Sequence, residues 1–151
     1  MSTERIPRYA GFVSPSKLPK GPNGLPLCRW CKTRECATSR NTFCSPECVH
    51  EHKIRTQPSY AKQLVYDRDH GVCAECGVDT CADLKGPVVQ PTRLFGTVSG
   101  SRWDMDHIIP VCEGGGDCGL ENYRTLCKPC HKRETAALAR RRAEKRKTEK
   151  C

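Results

Sequence analysis

Aromatic residues are scarce in this 151-residue chain, at 6% with only 2 Trp, 4 Tyr and 3 Phe, and a large aromatic core is excluded. Long apolar runs are missing too. Nothing from Met1 to Gly11 has the length of a signal-peptide core, and no later stretch approaches the ~20 apolar residues that span a bilayer. The chain is therefore expected to be intracellular, with no membrane partner: cytoplasmic in a bacterium or phage, nuclear in a eukaryote. Cysteine, in contrast, is abundant, with 13 residues. Small modules that bury little apolar surface often rely on metals or disulfides instead. In a reducing compartment, tight Cys-x-x-Cys pairs are expected to hold zinc, and the odd total argues against a complete disulfide framework. The length suits one ordinary domain or two small zinc-stapled ones.

The net charge is +9 and unevenly spread: residues 132–150 carry nine Lys and Arg against three Glu. Such a block suits a phosphate backbone. Taken alone, a charge run is more often a solvated helix end.

Pro7, Pro15, Pro19, Pro22 and Pro26, with Gly11, Gly21 and Gly24, mark residues 1–26 as a Pro/Gly-rich tail. Residues 27–56 hold Cys28-x2-Cys31-x12-Cys44-x3-Cys48. Two close pairs on a short loop can place four thiolates around one tetrahedral zinc, with bonds of ~2.3 Å. Cys36, His50 and His52 are spare ligand candidates. The run Phe43 to Cys48 resembles the second knuckle and helix start of a treble-clef finger, with Ser45 as N-cap and Pro46 as first helical residue. Residues 57–142 then read as a separate domain and 143–151 as a basic tail.

In that domain a helix is expected over residues 59–70, with Tyr60, Ala61, Leu64 and Val65 on one face and Gly71 closing it. A knuckle carrying Cys73 and Cys76 follows. Residues 78–101 show no clear period and read as an inserted loop, with at most a short strand near Val88 and Val89. Trp103 to Pro110 reads as a strand, residues 113–119 as a wide glycine turn, and Tyr123 to Leu126 as the returning strand. Pro129 can open a helix that Ala136, Ala137, Leu138 and Ala139 continue, with fraying expected beyond Arg142. The fold class is a small, zinc-stabilised α+β protein.

Cys73, Cys76, Cys127 and Cys130 form two knuckles that one zinc can tie together. Four thiolates leave no open coordination position, so that zinc is structural. Chemistry is expected between Asp106 and His131: Asp106-His107-Ile108-Ile109-Pro110, then Gly114-Gly115-Gly116, Asn122 and Cys127-x-x-Cys130-His131. This order of acid, His, Asn and His resembles the HNH endonucleases, built on the ββα-metal motif, over roughly residues 57–140.

The resemblance implies metal-dependent hydrolysis of phosphodiesters in DNA, with RNA not excluded. Asp106 and His131 are assigned as ligands of a catalytic Mg²⁺ or Mn²⁺, which takes hard oxygen and imidazole donors and keeps positions open. His107 is assigned as the general base, since an unperturbed imidazole titrates near ~6.5. Adjacent strand residues face opposite sides, so the strand is expected to end or bend at Asp106 and His107. Asn122 stands at the family's middle Asn, with the role of holding the His107 loop through backbone groups across the glycine turn. Lys132, Arg133, Arg140, Arg141 and Arg142 are the candidates for gripping phosphates. The alternative is a non-catalytic, zinc-dependent nucleic-acid-binding module. It accounts for the charge and the cysteines, but not for Asp106, His107, Asn122 and His131 together.

Overall fold

The computed structural model describes residues 13–37, 42–82 and 102–148. Most of the loop expected over residues 78–101, including Val88 and Val89, lies outside the described residues, as do residues 1–12, 38–41 and 149–151. The chain divides into two compact units. One runs up to Ala61 and includes Gly116–Gly119; the other comprises Lys62–Gly115 and everything from Leu120 onward.

In the first unit a 3-10 turn at Pro15–Lys17 leads into a small hairpin. Lys20 bridges Pro26, and the Leu27 N–H donates to the Pro19 carbonyl at 2.8 Å. These residues belong to the stretch read above as tail. They are ordered because Glu35 accepts from the backbone N–H of Asn23 at 2.8 Å and from its side-chain amide at 2.7 Å. Helix α1, Pro46–Thr56, starts where its capping chemistry requires: Ser45 is extended, its hydroxyl accepts from the Cys48 N–H at 3.3 Å, and Pro46 opens the first turn. His52 and Ile54 are its buried residues, with Phe43 edge-on to His52 at 5.0 Å between ring centroids.

Helix α2, Pro58–Asp69, contributes its second half to the other unit. It stops where His70 and Gly71 take left-handed conformations, with φ of 51° and 78°. The following knuckle is pinned to the sheet by the Ala74 N–H, which donates to the Thr125 carbonyl at 2.9 Å. The sheet has two antiparallel strands, β1 (Trp103–His107) and β2 (Tyr123–Cys127), which pair Asp106 with Arg124 and His107 with Tyr123. Side chains alternate along a strand. Trp103 stacks on Tyr66 of α2 at 6.2 Å and lies under the Lys62 ammonium at 4.7 Å. Asp104 and Asp106 share the opposite face, on the side of α3, Lys128–Thr148. Cys73, Leu126, Cys127 and Cys130 form the buried centre of this unit.

Two boundaries differ from the sequence reading by more than one residue. β1 ends at His107, where an end or bend was expected, and does not run on to Pro110, because the Ile109 N–H and carbonyl are both taken by the Asn122 side chain and so leave the strand ladder. α3 continues to Thr148 rather than fraying after Arg142. Its last turns are dominated by Ala, Glu, Lys and Arg, all strong helix formers.

Candidate active site

Each unit contains one set of four thiols whose ligand atoms lie within 4.8 Å of one another: Cys28, Cys31, Cys44 and Cys48 in the first, Cys73, Cys76, Cys127 and Cys130 in the second. Sulfur pairs stand 3.7 Å apart for Cys31 and Cys44, 3.5 Å for Cys44 and Cys48, and 3.8 Å for Cys76 and Cys127. A tetrahedron with zinc–sulfur bonds of ~2.3 Å has edges of about 3.8 Å, so both donor sets fit zinc. Of the spare candidates, Cys36 is buried beside the first set, where burial and then the neighbouring Cys28, Cys31 and Cys48 push its thiol up, and the two histidines each have one ring nitrogen beside a hydroxyl. His50 Nδ1 lies 2.8 Å from the Tyr60 hydroxyl, and His52 Nδ1 lies 3.2 Å from the Thr56 hydroxyl.

The thiols within each set are driven apart electrostatically. The Thr33 side chain does most to hold Cys31 down at about 6, while burial and the neighbouring thiols push Cys44 up to about 12. In the second set burial pulls Cys73 upward, but backbone N–H groups of Cys127, Cys76 and Glu75 outweigh it and hold the thiol at about 6. Cys130 is pushed up to about 12, first by its contact with Cys127. Four crowded thiolates would need a compensating cation, which zinc would supply at either set.

Asp106 and His131 converge from β1 and α3. Oδ2 of Asp106 accepts from Arg124 Nε at 3.0 Å, while Oδ1 faces Nε2 of His131 at 4.0 Å. One carboxylate oxygen and one imidazole nitrogen are therefore presented together. This carboxylate and imidazole pair could hold a divalent cation. His131 follows Cys130 directly, so the second thiol set fixes the start of the helix that carries it.

His107 is the last residue of β1, and its ring packs against that of its cross-strand neighbour Tyr123 at 4.6 Å between centroids. The chain beyond it is laced to Asn122. The Ile108 N–H donates to the Asn122 carbonyl at 2.8 Å, and the Ile109 N–H donates to the Asn122 side-chain oxygen at 2.7 Å. The Asn122 amide donates to the carbonyls of Ile109 and Gly115, both at 3.0 Å. Asn122 is only 4% exposed, and these bonds employ both the oxygen and the nitrogen of its side-chain amide. Gly115 is required here, since a Cβ would collide with the Ile109 carbonyl and stand 2.7 Å from the Asn122 amide nitrogen.

Residues 94–137 match the HNH endonuclease family. The chain is also similar to proteins named DNA annealing helicase and endonuclease ZRANB3. The identity is 34% for that of Mus musculus over 154 residues, covering 82% of this chain and 14% of the relative. For the Homo sapiens and Bos taurus proteins it is 32%, with the same coverage. This chain resembles the HNH endonuclease family over residues 94–137. It spans only a small part of the length of these relatives, 14%. No solved structure matches it.

The HNH segment contains two site residues that the sequence reading passed over. Asp104 places Oδ2 2.9 Å from Nδ1 of His131 and Oδ1 2.6 Å from the Lys128 ammonium. Its signal was the spacing Asp-x-Asp-His, which puts two carboxylates on one strand face. Arg124 ties Asp106 to Glu75 of the zinc knuckle at 2.7 Å and to Glu134 of α3 at 3.3 Å. Of the phosphate-gripping candidates, Lys132, Arg140, Arg141 and Arg142 are exposed along α3, and Arg133, also exposed, donates to the Cys130 sulfur at 3.0 Å. No helix among the described residues is long and apolar enough to cross a membrane.

Proposed function

We propose that this chain is a metal-dependent HNH endonuclease that hydrolyses phosphodiester bonds in DNA. The observation that carries the reading is the convergence of Asp106 Oδ1 and His131 Nε2 to 4.0 Å. That convergence lies next to a loop which Asn122 braces immediately after His107. Asp106 and His131 would hold Mg²⁺ or Mn²⁺, which would supply neutralisation of charge on the phosphate and on the departing oxygen. His107 takes the proton of the attacking water as the new P–O bond forms and the bridging P–O bond breaks. Asn122 is a positioning residue that fixes the chain leaving His107. The two four-cysteine sets hold structural zinc, the first in a treble-clef-like finger of its own. Lys132, Arg140, Arg141 and Arg142, with Arg133 in part, grip phosphates along α3.

DNA is the favoured substrate because the similar mammalian proteins are named for DNA. The test is a nicking assay on linear, forked and gapped DNA, with matched RNA, in EDTA, Mg²⁺ and Mn²⁺. Cleavage of DNA only with the divalent ions is expected. Binding without cleavage under every ion would replace this reading with the non-catalytic DNA-binding module.

A further inference from the structure

We infer that Asp104 is a positioning residue that sets the tautomer of His131 and so turns its Nε2 lone pair toward the catalytic ion. The inference deepens the reading of Asp106 and His131 as a metal site and rests on it. An imidazole has two ring nitrogens, and only an unprotonated one can ligate a metal. At His131 the two face different carboxylates. Nδ1 lies 2.9 Å from Asp104 Oδ2, within hydrogen-bond reach, and Nε2 lies 4.0 Å from Asp106 Oδ1, beyond it. In the neutral ring the 2.9 Å contact favours the tautomer with N–H on Nδ1, donated to Asp104. Nε2 is left as an acceptor opposite another acceptor.

Asp104 is itself held. Its second oxygen meets the Lys128 ammonium at 2.6 Å, and Lys128 and His131 are one turn apart on α3. Its strand position places it on the same face as Asp106. One strand thus carries the carboxylate that would bind the ion and the carboxylate that orients the other ligand. An outer carboxylate on a ligating histidine fixes the ring and raises its basicity.

The test uses the full-length, zinc-loaded protein and two readouts other than cleavage. Nitrogen-15 NMR of the metal-free catalytic site at pH 8 reads the His131 tautomer, and titration with Mn²⁺ followed by its EPR signal reads the affinity. Wild type is expected to show the Nδ1–H tautomer. Asp104→Ala is expected to populate the Nε2–H form and weaken Mn²⁺ binding by about 10–100-fold. Asp104→Glu, which keeps the carboxylate, should recover part of the loss, and Lys128→Ala should stay within about two-fold of wild type. A wild-type spectrum with His131 as the Nε2–H tautomer overturns the inference, whether or not any variant folds. So does Mn²⁺ affinity in folded Asp104→Ala that equals wild type. If wild type binds no Mn²⁺ at all, the metal site falls, and the proposed function with it.

Discussion

Asn122 grips the Ile109 residue from both ends, accepting its N–H at 2.7 Å and donating to its carbonyl at 3.0 Å. The pair works like one rung of a sheet built from a side chain, and it replaces the strand pairing that β1 gives up after His107. Asn122→Ala leaves backbone groups of Ile109 and Gly115 without these partners, at roughly 1–3 kcal/mol for each group left buried and unsatisfied. Asn122→Asp does no better, since a carboxylate cannot donate to the two carbonyls. Both variants should lower the urea midpoint at fixed zinc and reduce cleavage more than DNA binding. Gly115→Ala should resemble them, because its Cβ meets the Ile109 carbonyl.

Two tightly bound zinc ions per chain are expected, one for each set of four thiols. Metal analysis of protein purified without added zinc should find about two equivalents. One equivalent would dismiss one of the sets. Zinc takes thiolates, so affinity should fall as pH falls and protons compete for sulfur. Cys127→Ala should unfold the second unit, read as loss of amide dispersion in NMR, and not merely slow the chemistry.

Metal dependence should separate the catalytic roles. His107→Ala should lower cleavage by ~10²–10⁴-fold without altering zinc content or Mn²⁺ affinity. Asp106→Ala and His131→Ala should weaken Mn²⁺ binding and be partly rescued by more of the ion. Single-turnover cleavage by His107→Ala at the wild-type rate would assign the base elsewhere.

Neutralising Arg140, Arg141 and Arg142 should weaken binding to all DNA sequences alike and flatten its salt dependence. An unaltered slope of log K against log salt would make this stretch of α3 a solvated helix face.

Asp69 joins the end of α2 to β2. Its Oδ2 accepts from the Thr125 N–H at 3.2 Å and the Thr125 hydroxyl at 2.9 Å. The Arg68 guanidinium first, then Thr125, hold its carboxyl below the usual range against the upward pull of burial. A depressed folded value means that the stabilisation is complete above the unfolded value of ~3.9 and disappears as pH falls through the folded one. Asp69→Asn should therefore cost about 1–3 kcal/mol at pH 7, with the gap to wild type unchanged down to about pH 5. Urea denaturation in excess zinc checks this. A gap that does not narrow as pH falls below about 4 would show that the folded carboxyl titrates at its unfolded value.

The spacing of cysteines settled much of this protein before any coordinates. A Cys-x-x-Cys pair is a local chain geometry, and Ser45, Pro46 and Gly71 likewise act within a turn or two of themselves, so helix starts and stops could be read from them. The motif from Asp106 to His131 could be read for the same reason, since its elements are consecutive. What the linear order could not show was which atoms meet. Asp104 looks like any acid in a strand until the register of β1 and the start of α3 bring its oxygen to the far nitrogen of His131. Arg124 looks like a surface charge until Asp106, Glu75 and Glu134, from three separate segments, gather around it. The end of β1 at His107 could be anticipated from the need of Asp106 and His107 to leave strand alternation, but its cause could not, because local strand preference favours continuing through Ile108 and Ile109. A side chain thirteen residues away claims the Ile109 backbone instead. Hydrogen bonds and charges act through space over a few ångströms, and only the folded chain decides which residues come that close.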